Sequence, residues 1–203
     1  MSEPQSSARS PQLSKVLLLG LVLVFAAPLL LAVLFYRFSD WLPVPAPNSH
    51  GTLITPAHPI KRFDLVALSG KPLDIGYLRD QWTLVYVGGA ECDLWCQAAQ
   101  FKMRQVRLAL GEDQGRVQRL YLLTKVSAPR SLRWLLRRYP RMTVATPSEE
   151  ARSDVLSAFG EPRSGAFFLI DPRANLMMRY PPSATSEGLK QDLTRLLEAS
   201  QIG

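Results

Sequence analysis

Two cysteines, Cys92 and Cys96, are the side chains in this sequence best suited to covalent chemistry. They are the only cysteines among the 203 residues, and three residues separate them. The apolar segment 83–87 before them has the β-branched and aromatic content of a buried strand, and the two glycines that follow it permit a sharp turn. Because residues 97–103 begin a helical pattern, the sequence predicts that both thiols lie at a strand-to-helix junction.

Three kinds of chemistry are open to this pair. A structural disulfide is the first, although closing so short a loop removes only about 2 kcal/mol of unfolded-state entropy. The second is thiol-disulfide exchange, in which the dipole of a helix N-terminus favours the thiolate, Cys92 attacks and Cys96 resolves the mixed disulfide. The third is a metal site, because two thiolates four residues apart can share a helical face and bind one soft Cu(I) ion.

The neighbours of the cysteines act on this chemistry in two ways. Glu91 and Asp93 flank Cys92, and their negative charge opposes thiolate formation and partly offsets the helix dipole. Trp95 lies between the cysteines, where it forms either a surface that recognises a partner or a lid on the disulfide. The sequence leaves both roles for Trp95 open.

The amino-terminal part of the chain predicts a membrane anchor. Residues 16–35 are uniformly uncharged and largely apolar, lie between Lys15 and Arg37, and as a helix extend about 30 Å, which is enough to cross a bilayer. We interpret residues 15–37 as an uncleaved transmembrane signal anchor. The weak excess of positive charge before it predicts a cytoplasmic N-terminus and a periplasmic C-terminal domain on a single-pass protein of the bacterial inner membrane, where disulfides can persist.

Composition divides the rest of the chain. Residues 1–14 are polar and are predicted to be a disordered cytoplasmic tail. Residues 38–59 are rich in proline and are predicted to be a stiff spacer. The remaining residues, 60–203, are predicted to form one folded domain.

The hydrophobic pattern of residues 60–203 predicts an α/β fold. The strand at 83–87, the helix after Cys96 and a strand at 117–123 imply two parallel strands with a right-handed crossover. Other predicted elements are hairpins at 63–68/72–75 and 165–170/175–180, helices at 129–139, 147–160 and 186–199, and a short extended segment at 142–146. We therefore expect a central mixed sheet flanked by helices.

These features together resemble the Sco/SenC family of thioredoxin-fold proteins, which assemble the copper site of cytochrome c oxidase. The resemblance covers roughly residue 60 to the C-terminus. It rests on the N-terminal anchor, the hairpin sequence Leu-Ser-Gly-Lys-Pro-Leu at 68–73, the cysteine pair with three intervening residues, and the Asp-Pro turn at 171–172. The three-residue spacing is typical of this family, whereas thioredoxins use two intervening residues.

The resemblance implies a thioredoxin-like fold and a possible Cu(I) ion on Cys92 and Cys96. Family members bind copper through both cysteines and a histidine that precedes a late strand. At that place this chain reads Glu-Pro-Arg-Ser-Gly at 161–165, and its only histidines, His50 and His58, fall in the predicted spacer. Thiol-disulfide chemistry is accordingly favoured over the three-ligand copper site.

The expected function follows from these features. The formal charge of +7 comes mainly from scattered arginines, so no nucleic-acid partner is predicted, since such a partner requires a clustered basic stripe. We expect a membrane-anchored factor of cytochrome c oxidase assembly in which Cys92 and Cys96 are catalytic, with oxidase subunit II or another assembly factor as its partner. A Cu(I) chaperone and a general periplasmic thiol-disulfide oxidoreductase are the alternatives.

Overall fold

The computed structural model describes residues 11–37, 49–125, 132–160 and 165–200. The chain forms two compact units, residues 1–48 and residues 49–203. The first ten residues of the predicted tail, and residues 38–48 of the predicted spacer, lie outside the described residues.

The described residues of the first unit form the helix α1 (Pro11–Arg37), with Pro28 inside it. The helix therefore begins four residues before the predicted start of the anchor at Lys15. Within the described part of the chain, no helix combines the length and the apolar character needed to cross a membrane. The membrane anchor stays a prediction.

The second unit is built on an eight-stranded mixed sheet with strand order β1-β8-β7-β4-β5-β6-β2-β3. Strands β4, β5 and β6 are parallel to one another, and the other neighbouring pairs are antiparallel. The strands are β1 (Thr52–Pro59), β2 (Leu65–Ala67), β3 (Pro72–Leu73), β4 (Trp82–Gly88), β5 (Val117–Leu123), β6 (Met142–Pro147), β7 (Phe167–Ile170) and β8 (Asn175–Tyr180). The predicted α/β class, both hairpins and the parallel pair are confirmed.

Helices cover both faces of this sheet. They are α2 (Leu94–Ala109), α3 (Arg133–Arg138), α4 (Arg152–Ala158) and α5 (Ser186–Ala199), and short 3-10 helices span Ile75–Leu78 and Gly111–Arg116. All of β4 is buried, and its successive side chains point to opposite faces. Leu84 and Tyr86 pack with residues of α2, α3 and α5, whereas Val85 and Val87 pack with residues of α4.

The predicted boundary at Ile60 is wrong, because the folded unit begins about ten residues earlier. Residues 52–59 form β1, which pairs with β8 through Thr52 opposite Arg179 and Pro59 opposite Asn175. The prolines suggested a spacer, but β1 is an edge strand, and an edge strand tolerates proline on its unpaired side. Residues 52–59 of the predicted spacer therefore belong to the folded unit.

One predicted helix starts later in the structure than expected, and the predicted start of another lies outside the described residues. Residues 126–131, which include the predicted start at Pro129, lie outside the described residues, and α3 ends just before Pro140 as expected. The helix predicted at 147–160 begins only at Arg152, because Pro147 is the last residue of β6 and the Ser148 backbone N–H donates to Asp64 O at 3.0 Å.

Candidate functional site

The two cysteines form a disulfide where β4 passes into α2. The Cys92 and Cys96 Cα atoms are 5.0 Å apart; Cys92 lies in the loop after Gly88, and Cys96 is the third residue of α2. The predicted strand-to-helix junction is confirmed. The structure therefore places a redox-capable bond at the N-terminus of the helix that follows a central parallel strand.

Asp93 is the residue that begins this helix. Its Oδ1 accepts a hydrogen bond of 2.8 Å from the Cys96 backbone N–H, and its carbonyl accepts one of 2.9 Å from Gln97 N–H. The Gln97 side-chain amide donates back to the Cys92 carbonyl at 3.3 Å. The sequence interpretation treated Asp93 only as an opposing charge; the preference of aspartate for the N-cap position was the signal for its structural role.

The two sulfur-bearing residues differ in exposure. Cys96 is only 3 % exposed, whereas Cys92 is partly exposed. An incoming thiol therefore reaches the Cys92 sulfur more readily than the Cys96 sulfur. This asymmetry fits attack at Cys92 and resolution by Cys96, the assignment expected from the sequence.

The Cys96 sulfur lies against a tyrosine of the sheet. Its Sγ is 3.4 Å from Tyr121 Oη, and the Tyr121 hydroxyl donates to the Gly89 carbonyl. With its hydrogen committed to Gly89, Tyr121 Oη keeps lone pairs that can accept the S–H of a reduced Cys96. Sequence reasoning missed Tyr121, because the register that sets β5 beside β4 is needed to place it.

Aromatic rings pack beneath the cysteine loop. The Tyr86 ring centroid is 5.2 Å from that of Tyr121 and 5.4 Å from that of Phe167. A Cβ on Gly88 would lie 2.8 Å from a ring carbon of Tyr86 and 3.1 Å from one of Tyr121, so the missing side chain at this position makes room for the rings. Gly88, which the sequence predicted as a turn residue, thus also allows the two tyrosine rings to pack against the backbone.

Both phenols under the disulfide are neutral at physiological pH. Burial, together with the negative charge of Asp93, raises the pKa of Tyr86 to about 12. Burial also raises the pKa of Tyr121, and the neighbouring Tyr86 and Asp93 act in the same direction. The inner side of the site is therefore aromatic and uncharged.

Trp95, between the cysteines, points into solvent. It is 84 % exposed, and the adjacent Leu94 is 80 % exposed. A lid on the disulfide would lose much more of its accessible surface, so that alternative for Trp95 is wrong. What remains is a surface available to a partner.

The two histidines of the chain are engaged elsewhere. His50 Nε2 lies 2.8 Å from Gln191 Oε1, and its backbone N–H donates to the carboxylate of Asp192 at 2.9 Å and 3.1 Å. His58 lies on β1 and pairs with Leu176 of β8. Neither histidine shares a hydrogen bond with the cysteine loop among the described contacts.

The segment in which the resemblance to Sco/SenC proteins implies a histidine precedes β7, the strand that pairs with β4. Residues 161–164 lie outside the described residues, and at their end Gly165 N–H donates to Val87 O at 2.9 Å while Val87 N–H donates to Ala166 O at 3.1 Å. In the described parts of the chain, no three histidine, cysteine, aspartate or glutamate side chains are grouped to bind a metal. After reduction of the disulfide, the thiolates of Cys92 and Cys96 would be the soft donors that fit Cu(I).

Solved structures with this fold include Sco proteins. A copper-bound ScoI from Bradyrhizobium japonicum matches with a TM-score of 0.58 at 18% identity, over 68% of this chain and 99% of that chain. Apo Sco1 from Thermus thermophilus matches with a TM-score of 0.63 at 20% identity, over 73% and 97%. The resemblance to Sco proteins predicted from the sequence is confirmed at the level of the fold.

The same fold occurs in a thiol-disulfide oxidoreductase. The thioredoxin domain of a thiol-disulfide oxidoreductase from Bacteroides vulgatus matches with a TM-score of 0.57 at 12% identity, over 71% of this chain and 99% of that chain. The expected thioredoxin-like fold is therefore confirmed. A comparison of the sequence with curated proteins finds no match.

A family model defines the membership of the chain. The model described as transmembrane-like, thioredoxin-like, C-terminal domain matches residues 82–200, which is more than half of the 203 residues. The matched region runs from β4 through the cysteine loop to α5. The chain belongs to the transmembrane-like, thioredoxin-like C-terminal domain family.

Proposed function

We propose that this protein is a membrane-anchored factor of cytochrome c oxidase assembly that supports formation of the copper centre in subunit II by thiol-disulfide exchange. The observation that carries the proposal is the Cys92–Cys96 disulfide at the N-terminus of α2, with one partly exposed and one buried cysteine. The link to the oxidase is supported by the Sco-like fold, since BsSco, which shares this fold, contains a disulfide switch and is a member of the Sco family of cytochrome c oxidase assembly proteins.

The proposed exchange is balanced in thiols and electrons. In the reduced protein the Cys92 thiolate attacks a partner disulfide, so that a mixed disulfide forms and one partner thiolate leaves. The Cys96 thiolate then attacks the Cys92 sulfur, which releases the second partner thiolate and restores the Cys92–Cys96 bond. Two electrons pass from the cysteine pair to the partner, whose thiolates take up the two protons.

The residues around the pair serve this sequence of steps. The N-terminus of α2, completed by Asp93, favours negative charge on the nearby sulfur. The N-cap also holds Cys96 in the first turn, where its sulfur stays within reach of Cys92. Tyr121 offers its Oη to the Cys96 thiol until Cys96 ionises.

A Cu(I) chaperone is the second candidate. It is supported by the adjacency of the two sulfurs, because reduction leaves two soft donors that can hold one Cu(I) in a linear arrangement. Copper would then be cargo that passes from Cys92 and Cys96 to the partner by ligand exchange. A general thiol-disulfide oxidoreductase is the third candidate, supported by the Bacteroides match.

The proposed location is the bacterial inner membrane, with the N-terminus in the cytoplasm and the thioredoxin-like domain in the periplasm. The uncharged segment 16–35 and the basic residues before it support this topology. Accessibility of a C-terminal tag to a protease in spheroplasts tests it. A C-terminus protected from the protease would overturn the topology.

The three functions are separated by two measurements on the full-length protein and one in cells. Equilibration in glutathione buffers should give a reversible two-electron transition, and its absence excludes exchange as the function. Anaerobic titration with Cu(I) should give one ion bound in the chaperone case, and no stoichiometric binding excludes that case. Cells carrying Cys92→Ser should lose the copper absorbance of subunit II, whereas an unchanged oxidase favours the general oxidoreductase.

A further inference from the structure

Helix α2 has a second apolar face that its own fold leaves uncovered. The core side of the helix is formed by buried residues from Cys96 to Arg107. On the opposite side Leu94, Phe101 and Leu108 are 80 %, 52 % and 47 % exposed. We use the name α2 stripe for five exposed apolar residues of this helix, namely Leu94, Trp95, Ala98, Phe101 and Leu108.

The stripe follows the helix axis, with Gln105 between Phe101 and Leu108 as its one polar interruption. At 3.6 residues per turn, four of its members fall within about 80° of arc, and Trp95 lies beside the first of them. The core-facing residues are centred on the opposite side of the same helix. A surface helix normally carries one apolar face, so the second one points to contact with another molecule.

The stripe begins at the disulfide. Leu94 and Trp95 lie in the loop that the Cys92–Cys96 bond closes, so any polypeptide that reaches the Cys92 sulfur comes close to both side chains. From Leu94 to Leu108 the helix rises about 21 Å, which an extended chain spans with about six residues.

Basic residues flank the stripe. Lys102 and Arg104 project on either side of it by helical position, and α2 contains no acidic residue between Leu94 and Ala109. Lys102 is partly engaged, because its Nζ donates to the Ala184 carbonyl and lies 5.3 Å from the Phe167 ring centroid. Acidic side chains in this part of the molecule, such as Asp93 and Glu112, lie beyond the two ends of the helix.

We propose that the α2 stripe is the docking surface for a polypeptide substrate that presents its cysteine to Cys92. The substrate segment carries apolar side chains and at least one acidic side chain within about six residues of that cysteine. The inference rests on the proposed exchange at Cys92 and Cys96, and it adds the sequence chemistry of the partner. The stripe gives the exchange its selectivity, because a small thiol can reach Cys92 without contacting Phe101 or Leu108.

Two synthetic peptides test the inference with the oxidised full-length protein, where the proposed exchange runs in reverse and the peptide thiolate attacks the Cys92 sulfur. Each carries one cysteine; the first has leucine, phenylalanine and glutamate within the following six residues, and the second has serine and glutamine at the same places. The rate of disulfide reduction is measured with each peptide and with glutathione. We expect the apolar, acidic peptide to react at least tenfold faster than the polar peptide at equal concentration of thiolate.

Variants then assign the selectivity to the stripe. The double variant Phe101→Ser with Leu108→Ser should lower the ratio of the two peptide rates severalfold, with the contribution of the peptide glutamate remaining, and Trp95→Ser should lower the ratio as well. The matched control is Leu53→Ser, because Leu53 is 50 % exposed on β1 and its loss should leave the ratio unchanged. Circular dichroism confirms that each variant is folded.

The outcomes distinguish the two proposals. No reduction of the disulfide by glutathione or either peptide overturns the proposed exchange itself. Reduction by glutathione with equal rates for the two peptides overturns the docking inference and leaves the exchange standing. A ratio that persists in the double variant also overturns it, and so does a stripe that is occupied by a second copy of the chain, seen as a dimer that Phe101→Ser dissociates.

Discussion

The carboxylate of Asp93 accepts a hydrogen bond of 2.8 Å from the backbone N–H of Cys96. The residue between the two cysteines therefore begins the helix that carries the second cysteine. The negative charge that caps the helix is also close to the sulfur that must ionise. The Asp93 side chain thus stabilises the start of the helix and disfavours ionisation of the nearby thiol.

Changing Asp93 separates these two effects. Asp93→Ala removes the cap and should lower the free energy of unfolding by about 1 kcal/mol. Asp93→Asn keeps a capping oxygen but removes the charge, so reduced protein should react with iodoacetamide severalfold faster at pH 7, because the nearby thiolate is no longer repelled. Denaturant unfolding and alkylation rates measure the two effects. Equal alkylation rates in Asp93→Asn and wild type would contradict the electrostatic part.

Single cysteine substitutions test which sulfur attacks. Cys96→Ser should accumulate a mixed disulfide with a partner, because the partly exposed Cys92 still attacks and nothing resolves the product. Cys92→Ser should accumulate little, because Cys96 is 3 % exposed. Non-reducing gel electrophoresis after rapid acid quenching measures the adducts. Equal trapping by both variants would show that the burial of Cys96 does not decide the order of attack.

Tyr86 should make stability fall at alkaline pH. Its folded-state pKa is raised to about 12 by burial, with Asp93 adding to the effect, and the ordinary value is about 10. Because the folded state holds this proton more tightly, the contribution is fully present below pH 10 and is lost as the pH rises through 12. Tyr86→Phe should remove a decline on the order of 1 kcal/mol between these values.

Urea unfolding of wild type and Tyr86→Phe at several pH values measures this effect. The difference between the two proteins at pH 8 serves as the baseline, since Tyr86 is protonated there in both folded and unfolded states. An identical alkaline decline in the two proteins would rule out Tyr86 as its source.

Asp192 should anchor the start of the folded unit. Its buried carboxylate accepts hydrogen bonds from the backbone N–H groups of His50 and Gly51, the latter at 3.0 Å. Asp192→Ala leaves these donors without their acceptor and should lower the free energy of unfolding by about 2 to 3 kcal/mol. In Asp192→Ala, amide hydrogen exchange should become faster first in β1.

Asp154→Ala is the matched control for Asp192. Asp154 pairs with Arg62 at 3.3 Å, and both side chains are about half exposed, so removing this pair should change stability by less than about 1 kcal/mol. If the two aspartate variants lost similar stability, the anchoring role of Asp192 would have to be abandoned.

The sequence predicted those elements whose patterns are local. The apolar run at 83–87 gave the central strand, and the leucines at 186–199 gave α5 with the same bounds as the structure. The strand-helix-strand order gave the parallel pairing of β4 and β5, because that connection has one preferred handedness.

What the sequence did not predict depends on contacts between distant segments. Strand β1 is held by β8, about 120 residues later in the chain, and its prolines conceal it from any local pattern. Tyr121 reaches the Cys96 sulfur only because of the β4–β5 register. The role of Trp95 could not be decided without its exposure, since the same residue type serves as a lid or as a contact surface.

Cys96 Sγ lies 3.4 Å from Tyr121 Oη. A change in the redox state of the disulfide therefore changes the surroundings of a tyrosine inside the sheet. Opening the disulfide gives Tyr121 a new hydrogen-bonding neighbour, and Tyr121 is in ring contact with Tyr86. The tyrosine bands in near-ultraviolet circular dichroism should therefore report oxidation and reduction in unlabelled protein. This intrinsic tyrosine signal can follow the proposed exchange without an added label.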